Sequence, residues 1–341
     1  MKIRLYIFIV MFFVFNNIKS QDVHFSQFSE NPMMLNPAHT GLYEGDFRAY
    51  LNYKNQWAAI SNVYQTYAVS ADFILLKDFK SKKITGVGIS AYQDVAGASK
   101  TKTARVDLNI SQTIHISPYS DISLGIGATY MDLSANYLGL KWGTQYSGIG
   151  YDGTLPTLES FTGYGKKIID FSAGLLYRYF DDHKMPLEIG ISAYHLTQPE
   201  IGIISATDFL PMKWTFHASK ELNIPNSTYG VELLSYITSQ RAARELNLGF
   251  LIRRNYGQVS RYTGYYSDTK FYMGGYYRIG DAVIVMAKLV LYKNYTMAIS
   301  YDFNISKLKV GTNLRGGPEV SFSYTGTVFN YKIRTPRFLM D

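Results

Sequence analysis

Thr103-Ala104-Arg105-Val106-Asp107-Leu108-Asn109-Ile110 alternates apolar and polar side chains along its whole length. In a β-strand successive side chains point to opposite faces. Ala104, Val106, Leu108 and Ile110 therefore share one face, and Arg105, Asp107 and Asn109 share the other. A soluble sandwich uses such a strand with its apolar side inward. A transmembrane barrel uses it inverted, with the apolar side to lipid and the polar side to a wet lumen. The rest of the sequence has to choose between them.

The alternation recurs. Strands are expected near 46–54, 64–75, 84–93, 102–114, 121–133, 168–180, 187–197, 211–220, 227–238, 244–254, 269–279, 281–291, 294–304 and 318–325. Ile122, Leu124, Ile126, Ala128 and Tyr130 share a face opposite Ser123, Gly125, Gly127 and Thr129. Leu246, Leu248, Phe250 and Ile252 oppose Glu245, Asn247, Gly249 and Arg253. Tyr295, Met297, Ile299, Tyr301 and Phe303 oppose Thr296, Ala298, Ser300 and Asp302. The polar faces mix glycine and small residues with charges, as a lumen that must leave room requires. Fourteen strands is an even number, as a single-chain bacterial barrel needs. Helical periodicity never runs beyond about two turns. Turns such as Ile116-Ser117-Pro118-Tyr119 and Asn223-Ile224-Pro225-Asn226 separate the strands. The pattern favours an all-β transmembrane barrel.

The first twenty residues read as a secretory signal peptide. Lys2 and Arg4 precede an apolar run from Leu5 to Phe15, and a polar exit ends at Ser20. That run is too short to span a bilayer. The most apolar later stretch, Ala282 to Leu291, is also short and contains Lys288. A spanning helix needs roughly 20 apolar residues, a tilted barrel strand only roughly 9–11. The expected home is the outer membrane. Cysteine is absent, which excludes both a lipid-bearing cysteine and a disulfide framework. The formal charge of +8 includes Lys2, Arg4 and Lys19, so the expected mature chain carries +5. Its basic residues are dispersed among aromatics, which suits anionic lipid head groups and not nucleic acid. Thirty tyrosines against 20 phenylalanines suit the head-group layer, where a side chain is half in hydrocarbon.

Two segments stand apart. Residues 21–45 precede the first strand and contain Asn31-Pro32 and Asn36-Pro37, so they are extended or turned. Their backbone must be satisfied against something. A luminal plug is favoured over a periplasmic contact. The barrel is expected over 46–325, with a C-terminal extension over 326–341. Residues 135–166 form a long insertion rich in glycine and tyrosine. If the chain enters from the periplasm, this insertion and the 304–318 connection face outward. Residues 255–268 break the scheme, being long where a short turn is expected. Either a strand near 257–266 is hidden there, or the rule fails locally.

Catalytic chemistry finds little support. Nucleophilic catalysis needs a Ser or Cys beside an oriented base, and no G-x-S-x-G is present. The histidines at 24, 39, 115, 183, 195 and 217 stand singly. Asp181-Asp182-His183 reads as a solvated bend, and His195 and His217 read as packed strand residues. Gly163-Tyr164-Gly165-Lys166-Lys167 lacks phosphate-loop spacing. No cofactor and no metal site is expected.

The opening of the mature chain carries a family resemblance. It reads Gln21-Asp22, Phe25-Ser26-Gln27-Phe28, Asn31-Pro32, Leu35-Asn36-Pro37-Ala38 and Gly41, then Arg48 and Tyr53-Lys54-Asn55-Gln56-Trp57. This resembles the opening of the PorP/SprF family of Bacteroidetes outer-membrane proteins, with Lys54 in place of the usual arginine. Ser70-Ala71-Asp72, Tyr277-Arg278-Ile279-Gly280-Asp281-Ala282, Tyr301-Asp302 and Pro318-Glu319-Val320-Ser321-Phe322-Ser323-Tyr324 are similar to later family segments. Thr335-Pro336-Arg337-Phe338 is similar to a tail that usually begins with cysteine. Residues 135–210 hardly share the resemblance.

The resemblance implies a fourteen-stranded barrel akin to fatty-acid transporters. It also implies work with the type IX secretion system and gliding motility. Such a protein supports export or surface retention of a partner, often a large adhesin with a C-terminal targeting domain, and has no enzymatic activity. A passive channel or hydrophobic-solute transporter is the alternative. Phe25, Gln27, Asn31, Pro32, Asn36, Pro37, Gly41, Asn55, Gln56 and Trp57 are the candidate motif residues. Tyr137, Trp142, Tyr146 and Tyr151 are candidate partner contacts, since large amphipathic rings dominate interface energetics. Packing of the loop over the barrel mouth is the competing reading of these rings.

Overall fold

The computed structural model describes residues 22–56, 64–78, 82–97, 99–135, 140–158, 165–181, 185–202, 208–256, 269–306 and 314–327. Residues 1–21, Trp57, Tyr137, Gly163, Tyr164, His183 and 328–341 lie outside them.

Fourteen strands build the wall. They are β1 Phe47–Gln56, β2 Tyr64–Asp78, β3 Lys83–Ala96, β4 Thr101–Ser117, β5 Ser120–Ser134, β6 Gly165–Phe180 and β7 Pro186–Tyr194. The others are β8 Lys213–Asn223, β9 Tyr229–Gln240, β10 Ala243–Tyr256, β11 Thr269–Arg278, β12 Ala282–Leu291, β13 Tyr295–Asn304 and β14 Arg315–Gly326. Each pairs antiparallel with its chain neighbours, and β14 returns to β1 with Phe47 opposite Gly326 and Lys54 opposite Glu319. The sheet is a closed barrel, so no edge faces lipid.

Exposure settles the inversion. Leu108, Leu124 and Ile126 are 60%, 58% and 62% exposed, whereas Asp107 and Ser123 are 5% and 1% exposed. A sandwich would show the reverse. The apolar faces of these strands form the outside of the wall and their polar faces line its interior. This is a transmembrane barrel.

β10 lies directly beside β11, paired from Asn247 opposite Arg278 to Tyr256 opposite Thr269. No strand stands between them in the wall, and the connection at 257–268, where a hidden strand was the alternative, lies outside the described residues.

Tyrosine does more than the head-group reading proposed. Tyr67, Tyr130, Tyr177, Tyr229 and Tyr277 are exposed on the wall, and Tyr119 and Tyr292 in turns at its ends. Tyr50, Tyr92, Tyr194, Tyr236, Tyr272 and Tyr276 instead are buried. The main apolar core lies inside the barrel: Phe28 and Leu35 pack with Leu234, Tyr236, Leu251, Tyr272, Tyr276, Ile284 and Met286. Strand β12 is therefore apolar on both faces apart from the inward Lys288, one face toward lipid and one toward this inner core.

The wall is uneven at one place. β6 pairs with β7 only from Ala173 to Phe180, leaving Gly165–Ser172 beyond the reach of the shorter strand. The chain leaves β7 at His195 in the left-handed region, with φ 60°. Leu196 then donates its backbone N–H to Phe171 O at 3.2 Å.

Candidate functional site

Residues 22–46 run through the interior of the barrel. Their partners come from strands all round the wall, and a segment that touches every side of a closed barrel must lie within it. Two Asn-Pro pairs shape its turns. Asn31-Pro32 opens the helical turn Pro32–Leu35, with proline at the first helical position, where its missing N–H costs nothing. Asn36 caps the 3₁₀ turn Pro37–His39 by accepting the Ala38 N–H at 2.9 Å.

Asn36 also fastens the segment to the wall. Its Nδ2 donates to Leu175 O at 3.1 Å and Ile191 O at 3.2 Å, and lies 3.2 Å from His217 Nε2. Gly174 permits this approach, because a Cβ there would sit 1.9 Å from Asn36 Oδ1. Gly41 adopts φ +69°, and a Cβ on it would stand 2.6 Å from the Gly86 Cα. The small residues on the polar faces leave room, and residues 22–46 fill it.

At the end of the barrel where β1 begins, Asp72 gathers three donors. Arg48 Nε and Nη2 reach its two oxygens at 3.0 and 2.8 Å, and the Gly41 N–H donates at 2.8 Å. Arg48 Nη2 also donates to His39 O at 3.3 Å. Farther along the lumen, the Glu319 carboxylate accepts the backbone N–H groups of Ser26 at 2.7 Å and Gln27 at 3.2 Å. Gln27 Nε2 donates to Ser300 and to Glu319 O, while its Oε1 accepts from Ser321 at 2.6 Å. Ser26 Oγ donates to Asp302 at 2.6 Å, and Arg278 Nη2 donates to the same carboxylate oxygen at 2.9 Å. Lys288 lies between Glu30, at 3.1 Å, and Glu232, at 3.2 Å. Phe28 stacks on Tyr236, with ring centroids 5.2 Å apart.

Gln27, Asn31, Asn36, Pro37 and Gly41 are thus buried together in the lumen, with Phe25 and Pro32 half-buried beside them. Asn55 and Gln56 stand at the opposite end of β1 from Arg48. The residues that hold the segment from the wall are Arg48, Asp72, Arg278, Asp302 and Glu319, none of them among the candidate motif residues. All five stand in the segments that carry the family resemblance, at Arg48, Ser70-Ala71-Asp72, Tyr277-Arg278, Tyr301-Asp302 and Pro318-Glu319.

His195 is wholly buried just beyond β7, not on it. Asp170 lies 2.7 Å from its Nδ1, and Asp22 lies 3.3 Å from its Nε2. His217 is on β8 and faces the lumen. Among the described residues no three His, Asp or Glu side chains are grouped to hold a metal ion.

The insertion between β5 and β6 folds on itself. Gln145 is its pivot: Oε1 accepts the Trp142 N–H at 3.1 Å and Nε2 donates to Leu155 O at 3.1 Å. Tyr146 and Tyr151 form an antiparallel bridge with ring centroids 5.8 Å apart, and both are exposed. Lys141 Nζ lies 4.8 Å from the Tyr151 ring centre. The hydroxyl and N–H of Thr154 hold the Asp152 carboxyl below its ordinary range.

The model of the type IX secretion system membrane proteins PorP/SprF matches residues 17–324. The chain belongs to the PorP/SprF family. No curated protein matches it. Among solved structures, the CymD monoaromatic hydrocarbon channel shares the fold, with a TM-score of 0.52 at 10% identity, covering 90% of this chain and 95% of that one. The Ralstonia pickettii toluene transporter TbuX aligns with a TM-score of 0.48 at 11% identity, covering 86% and 92%. A Pseudomonas aeruginosa FadL homologue aligns at 0.45 and 10% identity, covering 85% and 92%. Members of the PorP/SprF family being membrane proteins of type IX secretion, the inverted barrel has its physical reason.

Proposed function

We propose that this PorP/SprF barrel is a non-enzymatic accessory of type IX secretion in the outer membrane. It supports export and surface anchoring of an adhesin-like cargo that carries a C-terminal targeting domain. The observation that carries the reading is the occupied lumen of a type IX family member. A barrel whose interior is bonded to its own chain suits holding a partner better than passing solutes. Residues 1–20 act as a cleavable signal, and residues 22–46 act as a plug. The end bearing the 140–158 insertion faces outward, and Trp142, Tyr146 and Tyr151, with Tyr137, contribute to the cargo surface. Loops carry recognition because they vary while the barrel stays fixed.

Affinity purification from the native outer membrane tests this. A protein with a type IX targeting domain should co-purify, and deleting the gene should strip that protein from the cell surface. If neither happens, the anchor reading fails. The channel alternative draws on the fold shared with CymD, which is described as a monoaromatic hydrocarbon channel. Steady conductance of the purified full-length barrel in planar bilayers would favour it over the anchor.

A further inference from the structure

We propose that Lys213, Arg105 and His195 form a carboxylate receptor, filled here by the chain's own Asp22, that also takes a small amphipathic carboxylate when residues 22–25 move aside. Asp22 Oδ2 lies 2.6 Å from Lys213 Nζ, 3.3 Å from His195 Nε2 and 3.8 Å from Arg105 Nη1. The Tyr92 hydroxyl donates to the other oxygen at 3.5 Å. Charge counting sets the valence. Arg105 already has Asp107 at 2.8 Å, and His195 has Asp170 at 2.7 Å. Among the described residues Lys213 pairs with no carboxylate but Asp22. Removing Asp22 therefore leaves one buried cation in want of one anion, and such a charge is costly to leave unpaired.

The arm that carries Asp22 is held more loosely than the residues after it. Ser26 and Gln27 are fully buried, whereas residues 22–25 are each half-buried. The arm's backbone is tied by the Asp22 N–H to Gln240 Oε1 at 3.1 Å and by Lys54 Nζ to His24 O at 3.0 Å. A cavity of about 60 Å³ runs along it, and a smaller one of about 10 Å³ lies on its Gln240 side. The larger cavity is walled by Phe28, Met33, Leu35, Tyr92, Tyr194 and Tyr236. Asn31 and His24 also border it, and Asn31 Nδ2 and His24 Nε2 are buried without a hydrogen-bond partner. At that size the cavity accommodates a few waters. Val23 and Phe25 line it too, so withdrawing the arm adds their volume to an apolar space with a cation at its edge. That shape calls for a single carboxylate on a compact apolar group. A neutral analogue leaves Lys213 unpaired and is rejected. This site stands apart from the cargo reading and survives a failed co-purification.

The probe is phenylacetate, with phenylacetamide as its uncharged counterpart, titrated calorimetrically into the full-length mature barrel in lipid nanodiscs. Asp22→Asn should bind phenylacetate roughly tenfold more tightly than the wild type, since an ionic hydrogen bond no longer competes. Adding Lys213→Gln to Asp22→Asn should abolish binding, and phenylacetamide should bind none of the three. Equal affinity in wild type and Asp22→Asn, binding retained without Lys213, or acid and amide binding alike would each overturn the proposal. A wild-type measurement guards against variants that do not fold. Phenylacetate, and not phenylacetamide, should raise hydrogen exchange at Val23–Phe25 while leaving Ser26–Phe28 protected. No rise sinks the idea.

Discussion

Ser26 and Glu319 stand 293 residues apart in sequence, yet the Ser26 N–H donates to the Glu319 carboxylate at 2.7 Å. The family segments near the two ends of the chain, distant in sequence, meet in the lumen.

Replacing Glu319 by alanine strands the buried Ser26 and Gln27 N–H groups and the Asn52 amide that donates to it at 3.0 Å. Hydrogen bonds to a charged group contribute about 1.5–3 kcal/mol each. Glu319→Ala should therefore lower unfolding stability by about 3 kcal/mol or more, and Glu319→Gln by less. Denaturant midpoints in detergent, read by heat-modifiable mobility, measure both.

The Arg48–Asp72 pair gives a second test. Breaking a buried pair by removing one partner costs about 3–5 kcal/mol, because the remaining charge is uncompensated. Asp72→Asn and Arg48→Met should each destabilise by that order. The double variant should recover much of the loss, and a double-mutant cycle on the same midpoints reads the coupling. Purely additive losses would show that the pair does not act as a unit.

Deleting residues 22–44 asks whether the segment seals the barrel. The outer membrane should admit large antibiotics more readily while the protein still shows a folded, heat-modifiable band. Unchanged permeability would mean that the interior is closed by something else.

Gly174→Ala tests the close approach of Asn36. A Cβ would sit 1.9 Å from its side-chain oxygen. The segment should loosen at Asn36–Ala38, seen as faster hydrogen exchange there, with the outer wall unaltered.

On the loop, Tyr146→Ala with Tyr151→Ala should weaken cargo capture while changing barrel stability by less than about 0.5 kcal/mol, because both rings are exposed. Equal capture would remove these rings from the partner surface.

The wall was readable from the sequence because alternation is a local property. Ile122 to Tyr130 needs only its own neighbours to show one apolar and one polar face. The absence of any spanning helix in an exported chain then turns the apolar face to lipid. The interior was not readable in the same way. Lys288 looks like a blemish in an apolar strand until Glu30 and Glu232 are seen beside it. Which luminal residues meet depends on how the closed wall brings distant strands round one axis, and no window of sequence contains that. The Asn-Pro pairs announced turns but not where the turns would be anchored. The His195 environment was hidden because β7 stops short and the chain turns inward there at a positive φ.

The threaded lumen also constrains how the molecule comes to be made. The backbone N–H groups of residues 26 and 27 find their acceptor on β14, and β14 is the strand that pairs with β1 to shut the wall. The first-made part of the chain must wait for the last-made part. Contacts of such sequence separation form slowly, and once the seam is shut a misplaced segment could enter only end-on. Filling and closing are thus linked through Glu319: until β14 is in place the Ser26 and Gln27 backbone N–H groups lack the carboxylate that receives them.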